Sequence, residues 1–320
     1  MKFYLFITSL LIAVGCSSQS EADANKQIKS IKHKTIITKT NWNHGSPNCD
    51  TNQEPAIDVY KHDEDSFIIR QNKCLTFEAP FIYILVGKLK VLVLDTGALG
   101  DNSEFSLYKE LENILGKEQL SKKEVLVVHS HGHSDHYKGD ADFDGRSNVR
   151  LIKTSAADVN EFFGFTQWPQ GQKTIELGER KITVIPTPGH QEEAITIYDH
   201  QTKWLMTGDT LYPGYIYVKD WDAYRNSIDR LAIFANNNEV SAIFGAHIEM
   251  KNQARLYYAI GSTYQPHEAQ LDLSVESLQT LNTTLKKSDK PHEIISDDFI
   301  IKPMSGFQKT LSDAARWITQ

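Results

Sequence analysis

Positive charge is in short supply: 34 Lys and Arg stand against 41 Asp and Glu in 320 residues, a net charge of −7. That balance argues against a broad electrostatic footprint for nucleic acid. Cysteine is scarce as well, with three in the whole chain, and neither Cys49 nor Cys74 sits where a zinc site would need a thiolate. The apolar stretch Phe3 to Val14 is too short to span a bilayer as a mature helix. No internal repeat is strong enough to align, and nothing in the composition points to disorder or a fibre. What is present is an ordinary globular composition, 40% hydrophobic, long enough for one large domain or two small ones.

The N-terminus reads as a targeting segment. Lys2 supplies a short positive region, Phe3 to Val14 the apolar stretch, and Gly15-Cys16 follows at once. The ending Ala13-Val14-Gly15-Cys16 resembles the lipobox of bacterial lipoproteins, with Ala where Leu is commoner. The resemblance implies a signal peptide over 1–15, export, and membrane attachment through lipid on Cys16; an ordinary secretory signal is the alternative. Ser17-Ser18 lack the aspartate that retains a lipoprotein in the inner membrane, so in a cell with two membranes the implied place is the outer membrane, facing the periplasm. Residues 16–30 are rich in Ser, Ala, Gln, Lys and Glu and suit a flexible tether. That leaves 31–320 as one folded domain. Cys49 and Cys74 lie among polar, turn-forming residues, and in an oxidising compartment they can close a disulfide; two unpaired thiols are the alternative.

Strand-like apolar runs recur at Ser66–Arg70, Pro80–Val86, Lys90–Leu94, Val125–Val128, Val149–Thr154, Ile182–Ile185, Ala194–Tyr198, Trp204–Thr207 and Ala242–Phe244. Gly87 reads as a turn between two of them. Helical spacing predicts helices over Ser103–Leu115, with Asn102-Ser103 as caps, and over Ala156–Phe163, Trp221–Ala235 and Leu271–Leu285, before a short strand-like tail. Strands alternating with helices, together with antiparallel pairs, predict an α/β fold of two sheets sandwiched between helical layers.

The densest chemistry lies in His131-Gly132-His133-Ser134-Asp135-His136. In an extended segment His131 and His133 leave the same face and can grip one ion. Asp135 and His136 follow as the chain turns and can serve a second. His129 continues the alternation backwards but belongs to the strand, and reads as a core or supporting residue. His190, Asp209 and His247 each follow an apolar strand beside a glycine, so all three can converge at one sheet edge. Imidazole and carboxylate without thiolate suit Zn2+, with Fe2+ or Mn2+ as alternatives. Two such ions about 3.5 Å apart can share a water and bring its pKa towards 7. Asp135 is a candidate to accept and pass on the proton.

Taken in order, Leu94-Asp95-Thr96-Gly97, the histidine hexad, Thr187-Pro188-Gly189-His190, Gly208-Asp209-Thr210 and Ala246-His247 resemble the five-motif pattern of the metallo-β-lactamase superfamily. The resemblance spans residues 80–250 and implies a four-layer αββα sandwich in a single domain, with a dinuclear site between the sheets. It implies His131, His133 and His190 on one zinc and Asp135, His136 and His247 on the other. Asp209 would bridge them, and Asp95 would orient a ligand histidine.

Departures within the superfamily narrow the chemistry. Diiron oxygen reductases carry Glu where this chain has His133, and β-lactamases usually carry Cys or Ser where it has Asp209. Asp209 instead resembles the hydrolases of thioesters, lactones and phosphodiesters. Glyoxalase II shares the ligand set but takes a cytosolic glutathione thioester, which the export segment sets apart. Tyr212 stands where acyl-homoserine lactonases have a tyrosine at the substrate oxygen; it is a candidate oxyanion or leaving-group donor, beside a plain packing role. Trp168 and Trp221 are candidates for the mouth of the site or for the core. The implied function is a dinuclear zinc hydrolase acting on an ester, lactone, amide or phosphoester bond of a small-molecule substrate. A β-lactamase is one alternative, and a non-catalytic metal-containing binding protein of the cell envelope is another.

Overall fold

A run such as Val91-Leu92-Val93-Leu94 is apolar on both faces and so needs cover on both. The computed structural model supplies it. The described residues are 41–100, 105–287 and 289–319, with side chains described as far as Ser312. The signal peptide, Cys16, the tether and the expected domain start at residue 31 lie outside them.

The first sheet runs in spatial order through β1 (Ile57–Asp63), β2 (Ser66–Gln71), β3 (Phe81–Val86), β4 (Lys90–Leu94), β5 (Glu124–Val128) and β6 (Val149–Leu151). Its first four strands are antiparallel, and β4, β5 and β6 are parallel. The second sheet takes β7 (Lys173–Glu176), β8 (Lys181–Pro186), β9 (Ile195–Asp199) and β10 (Trp204–Gly208). After β11 (Tyr215–Val218), which belongs elsewhere, β12 (Ala242–Gly245) and β13 (Asp272–Leu273) complete it, in the order 13-12-10-9-8-7. β11 pairs with β15 (Ile300–Pro303), which also pairs with β14 (Ile294–Ile295), in a small third sheet.

Helices α1 (Leu107–Leu115) and α2 (Lys117–Ser121) set Leu107, Leu111 and Leu120 into one core with Val91, Val93, Val125 and Val127 of the first sheet. On the second sheet, Tyr224, Ile228 and Leu231 of α5 (Trp221–Asn237) and Leu278 and Leu281 of α6 (Val275–Leu285) share a core with Ile185, Leu205 and Ile243. The short helices α3 (Ser134–Tyr137) and α4 (Ala156–Phe163) follow β5 and β6, and α7 (Gly306–Thr319) ends the chain. The inner sheet faces meet through contacts such as Tyr83 against Phe244, 6.1 Å between ring centroids, with Tyr83 donating its hydroxyl proton to Gly245 O at 2.5 Å. This is the αββα sandwich expected of the sequence.

Buried Arg180 pins the layers together. Its Nε and Nη2 donate to Asp199 Oδ1 and Oδ2 at 3.0 and 2.6 Å within the second sheet. Its Nη1 and Nη2 reach across to Asp65 O at 2.6 Å and Ser66 Oγ at 2.9 Å beside the first. The Cys49–Cys74 disulfide is formed, with 25 residues of sequence separation and a Cα–Cα distance of 5.0 Å. Closing a loop of that order stabilises a fold by about 3 kcal/mol.

Four details correct the sequence reading. Helix α1 begins at Leu107 because Ser106, extended at φ −125°, caps it by accepting from Lys109 N at 3.2 Å; Ser103 lies outside the described residues. Strand β6 stops at Leu151, where pairing with Val127 ends. The run Leu271–Leu285 is two elements: Asp272–Leu273 pair with β12, then Ser274 caps α6. The tail is more than strands, since α7 follows β15.

Burial would raise the Asp199 carboxyl, but Arg180 outweighs it and holds the pKa below its ordinary 3.8. The unfolded chain therefore takes up protons first. Stability from this pair is present above about pH 4 and is lost as pH falls through the lowered value. Urea unfolding is expected to show a midpoint that drops below pH 4. Asp199→Asn, which leaves buried Arg180 without its counter-charge, is expected to cost about 3–5 kcal/mol at pH 7 and to remove part of that acid dependence.

Candidate metal centre

The site forms where strands of both sheets end. Parallel pairing of β4 and β5 puts Asp95, just past Leu94, beside the loop that leaves Val128, and Asp95 N donates to Val128 O at 2.8 Å. Asp95 has φ +69°, a left-handed conformation costing about 1–3 kcal/mol in a non-glycine residue. Three hydrogen bonds hold it there: Oδ1 accepts from Ser130 N at 2.6 Å, and Oδ2 accepts from Ser130 Oγ and His136 Nδ1, both at 2.9 Å. His133 remains extended and precedes the single turn of α3, which brings Asp135 and His136 round. Alternation followed by a turn is the arrangement read from the hexad.

His190 follows β8, Asp209 follows β10 and His247 follows β12. Gly208 permits the close approach: at φ +52° a Cβ there would lie 2.4 Å from Ser130 Cβ, so a larger residue would push Asp209 away from the histidine loop.

The rings are aimed by hydrogen bonds on their far sides. His190 Nδ1 donates to Tyr217 O at 2.7 Å, His247 Nδ1 to Glu78 O at 3.0 Å, and His136 Nδ1 to Asp95. A carbonyl or carboxylate can only accept, so in each ring Nδ1 keeps its proton and Nε2 is the nitrogen turned inward. His131 Nε2 and His190 Nε2 lie 3.0 and 3.1 Å from His133 Nδ1, and Asp209 Oδ2 stands 3.8 and 3.6 Å from the first two. On the other side, His136 Nε2 and His247 Nε2 lie 3.3 and 3.2 Å from Asp135 Oδ2, and 3.6 and 3.4 Å from Asp209 Oδ1. All seven expected ligand residues are thus together, in two groups, with one Asp209 oxygen turned to each.

Burial, reinforced by His136, holds the His131 imidazole neutral, well below its ordinary pKa; burial pushes His133 down to about 3 and lowers His190 as well. For His136, burial is outweighed by Asp135, Asp95 and Asp209, and the ring is held well above its usual value. Asp209 and Asp135 stay ionised despite burial because the histidines surround them.

A cation is what this donor set fits. His136 Nε2 and Asp209 Oδ1 are buried with no hydrogen-bond partner, a cost of about 1–3 kcal/mol for each such group. A divalent ion between the two would displace the His136 Nε2 proton and satisfy both atoms. The first group offers three imidazole nitrogens and a carboxylate oxygen, and the second two of each, all without thiolate.

The family model of the metallo-beta-lactamase superfamily matches residues 75–283. This chain belongs to the metallo-β-lactamase superfamily. Human acyl-coenzyme A thioesterase MBLAC2 is 25% identical over 214 residues, 55% of this chain and 75% of that protein. Hydroxyacylglutathione hydrolase of Bartonella tribocorum is 25% identical over 210 residues, 62% of this chain and 79% of that one. A solved metallo-beta-lactamase from Pontibacter korlensis aligns at a TM-score of 0.48 and 16% identity, over 72% of this chain and 100% of its own. The chain is a hydrolase of this superfamily.

Other residues of the hydrolase fall around the centre. His129 uses both ring nitrogens elsewhere, on Ile152 O at 3.0 Å and Asp140 Oδ1 at 2.9 Å. The Tyr212 hydroxyl lies 3.1 Å from Glu249 Oε2 and 3.2 Å from Tyr215 O, while its ring packs edge-on to His247. Trp221 is buried in the core of α5. Half-buried Trp168 donates to Glu192 O at 3.2 Å. Sequence reasoning missed Glu193, whose Oε1 accepts from Gly132 N at 2.7 Å between His131 and His133, and Gln191, whose amide lies 2.6 Å from His133 Nε2. Their nearness to His190 in sequence was the one available signal.

Asp95→Asn is expected to weaken divalent-metal binding about 10- to 100-fold while unfolding stays cooperative. Competition against a chromogenic chelator checks this.

Proposed function

We propose that this chain is a dinuclear zinc hydrolase of small-molecule acyl substrates, and that a thioester is its bond among the ester, lactone, amide and phosphoester possibilities. The observation that carries the dinuclear reading is the placement of Asp209, whose two buried oxygens face different ligand groups. The thioester reading is supported by the two relatives whose names specify an acyl-coenzyme A thioesterase and a hydroxyacylglutathione hydrolase.

His131, His133, His190 and Asp209 would hold one ion; Asp135, His136, His247 and Asp209 would hold the other. Fe2+ or Mn2+ suits the same donors less well than zinc. Two such ions supply Lewis acidity towards a substrate carbonyl and lower the pKa of water. The protein contributes the rest. Asp135 is ionised and, though largely buried, keeps a small exposed surface, so it can take the proton of an attacking water and return it to the leaving group. Tyr212 could donate to an oxyanion only by giving up Glu249 and the Tyr215 carbonyl, so its ring contact with His247 carries more weight than its hydroxyl.

The segment Lys2–Cys16 supports attachment to the outer membrane through lipid on Cys16, facing the periplasm, and the Cys49–Cys74 disulfide supports an oxidising compartment.

The zinc- and manganese-loaded protein is to be screened against thioesters, esters, lactones, β-lactams and phosphodiesters. Thioester hydrolysis is expected, reduced at least 100-fold in Asp135→Ala and in His190→Ala, whereas Tyr212→Phe is expected to stay within about tenfold of the parent. Two bound metals with no turnover on any substrate would favour a binding protein instead.

A further inference from the structure

Two loops flank the metal centre on the side of His247. Residues 72–79, between β2 and β3, contain Glu78, whose carbonyl accepts from His247 Nδ1. Residues 251–268, between β12 and β13, contain no helix or strand and begin four positions after His247. Irregular loops of that length are held by contacts or not at all. Neither buries an apolar core of its own: Leu75, Phe77, Leu256, Tyr257, Ile260 and Tyr264 are exposed.

One segment, residues 43–49, holds both loops. Cys49 is bonded covalently to Cys74 in the first. His44 O accepts from Gln265 N at 2.8 Å, Thr263 O accepts from Ser46 N at 3.2 Å, and Gly45 pairs with Tyr264 in an antiparallel bridge. Gly45 is required there, since at φ +76° a Cβ would lie 1.9 Å from Thr263 O. Beneath this clasp, Arg70 of β2 donates to Glu268 Oε2 at 2.7 Å and to Asn43 O at 3.2 Å, and the His44 ring lies 3.2 Å from the same Glu268 oxygen. Ala79, next to Glu78, sits at φ +42°. A non-glycine residue stays in that region only where its surroundings over-determine it, so the direction of the Glu78 carbonyl depends on how firmly loop 72–79 is held.

We propose that Cys49 and Cys74 are positioning residues of the metal centre: their disulfide completes a clasp across both loops, and the ligand group containing His247 reaches full metal affinity only in the oxidised chain. This rests on the dinuclear reading above. Closing the clasp turns two thiols into one disulfide, with two electrons and two protons passing to a small-molecule disulfide that leaves as two thiols. The hydrolase would then mature on meeting an oxidising compartment.

The oxidised parent and the Cys49→Ser/Cys74→Ser variant are to be compared by zinc competition against a chromogenic chelator and, without metal, by amide hydrogen exchange. The expected result is one zinc affinity about tenfold weaker and the other within about twofold, with faster exchange in both 72–79 and 251–268. Equal affinities in the two proteins, an equal loss at both metals, or faster exchange confined to 72–79 would each overturn the proposal. Should the variant not fold, the parent reduced by a phosphine and alkylated is measured in the same way; its global unfolding would make the disulfide a general stabiliser and likewise overturn the proposal. An oxidised parent that binds no zinc would instead sink the dinuclear reading itself.

Discussion

A carboxylate buried among imidazoles organises this molecule. Asp209 lies at the end of a central strand, with His131 and His190 near one oxygen and His136 and His247 near the other. An isolated carboxylate in such a place would be costly to ionise; the surrounding histidines keep it charged. The histidines in turn are aimed by acceptors behind them. Because those acceptors are backbone carbonyls and a carboxylate, they hold a proton on Nδ1 and turn Nε2 inward. The αββα architecture makes this possible because strands of two sheets finish at a common edge. Phe81 N at the start of β3 donates to Ala246 O at 2.8 Å, directly beside His247, so the sheets are tied together at the site itself.

The fold therefore does two kinds of work. Apolar strands and the helices over their outer faces provide a frame, and Arg180 pins one sheet to the other. Loops then carry the chemistry, and they are held by local devices rather than by core packing: the strained Asp95 on Ser130, Glu193 on Gly132, and the 43–49 clasp. Loops held in this way can differ between relatives that share the same ligands, which is how one superfamily serves many substrates.

Much of this was legible in the sequence. The seven candidate ligand residues stood out because four crowd into one hexad and the other three each follow an apolar strand, and strand ends at one edge of a sheet can meet. Asp95 was legible for the same reason. Harder to read were the partners that aim the rings: Tyr217 and Glu78 act through backbone carbonyls, which every residue possesses, so residue type carries no signal. Arg180, an interior cation among ordinary surface residues in the sequence, becomes visible only once Asp199 and Asp65 are brought to it. Helix boundaries shifted for local reasons, as at Ser106 and Ser274, where a serine in extended backbone caps a helix later than the apolar spacing alone implies. The partner of the Tyr212 hydroxyl was not legible, because spacing from Asp209 says nothing about Glu249, which the chain delivers from two residues beyond His247.

The central claim is that Asp209 separates two cation sites. Anomalous diffraction from crystals of the zinc-loaded protein, recorded on both sides of the zinc absorption edge, tests it most directly. The account predicts two zinc peaks, one beside each Asp209 oxygen, the first ringed by His131, His133 and His190 and the second by Asp135, His136 and His247. A single peak, or zinc held away from Asp209 with Oδ1 still unpaired, would contradict it.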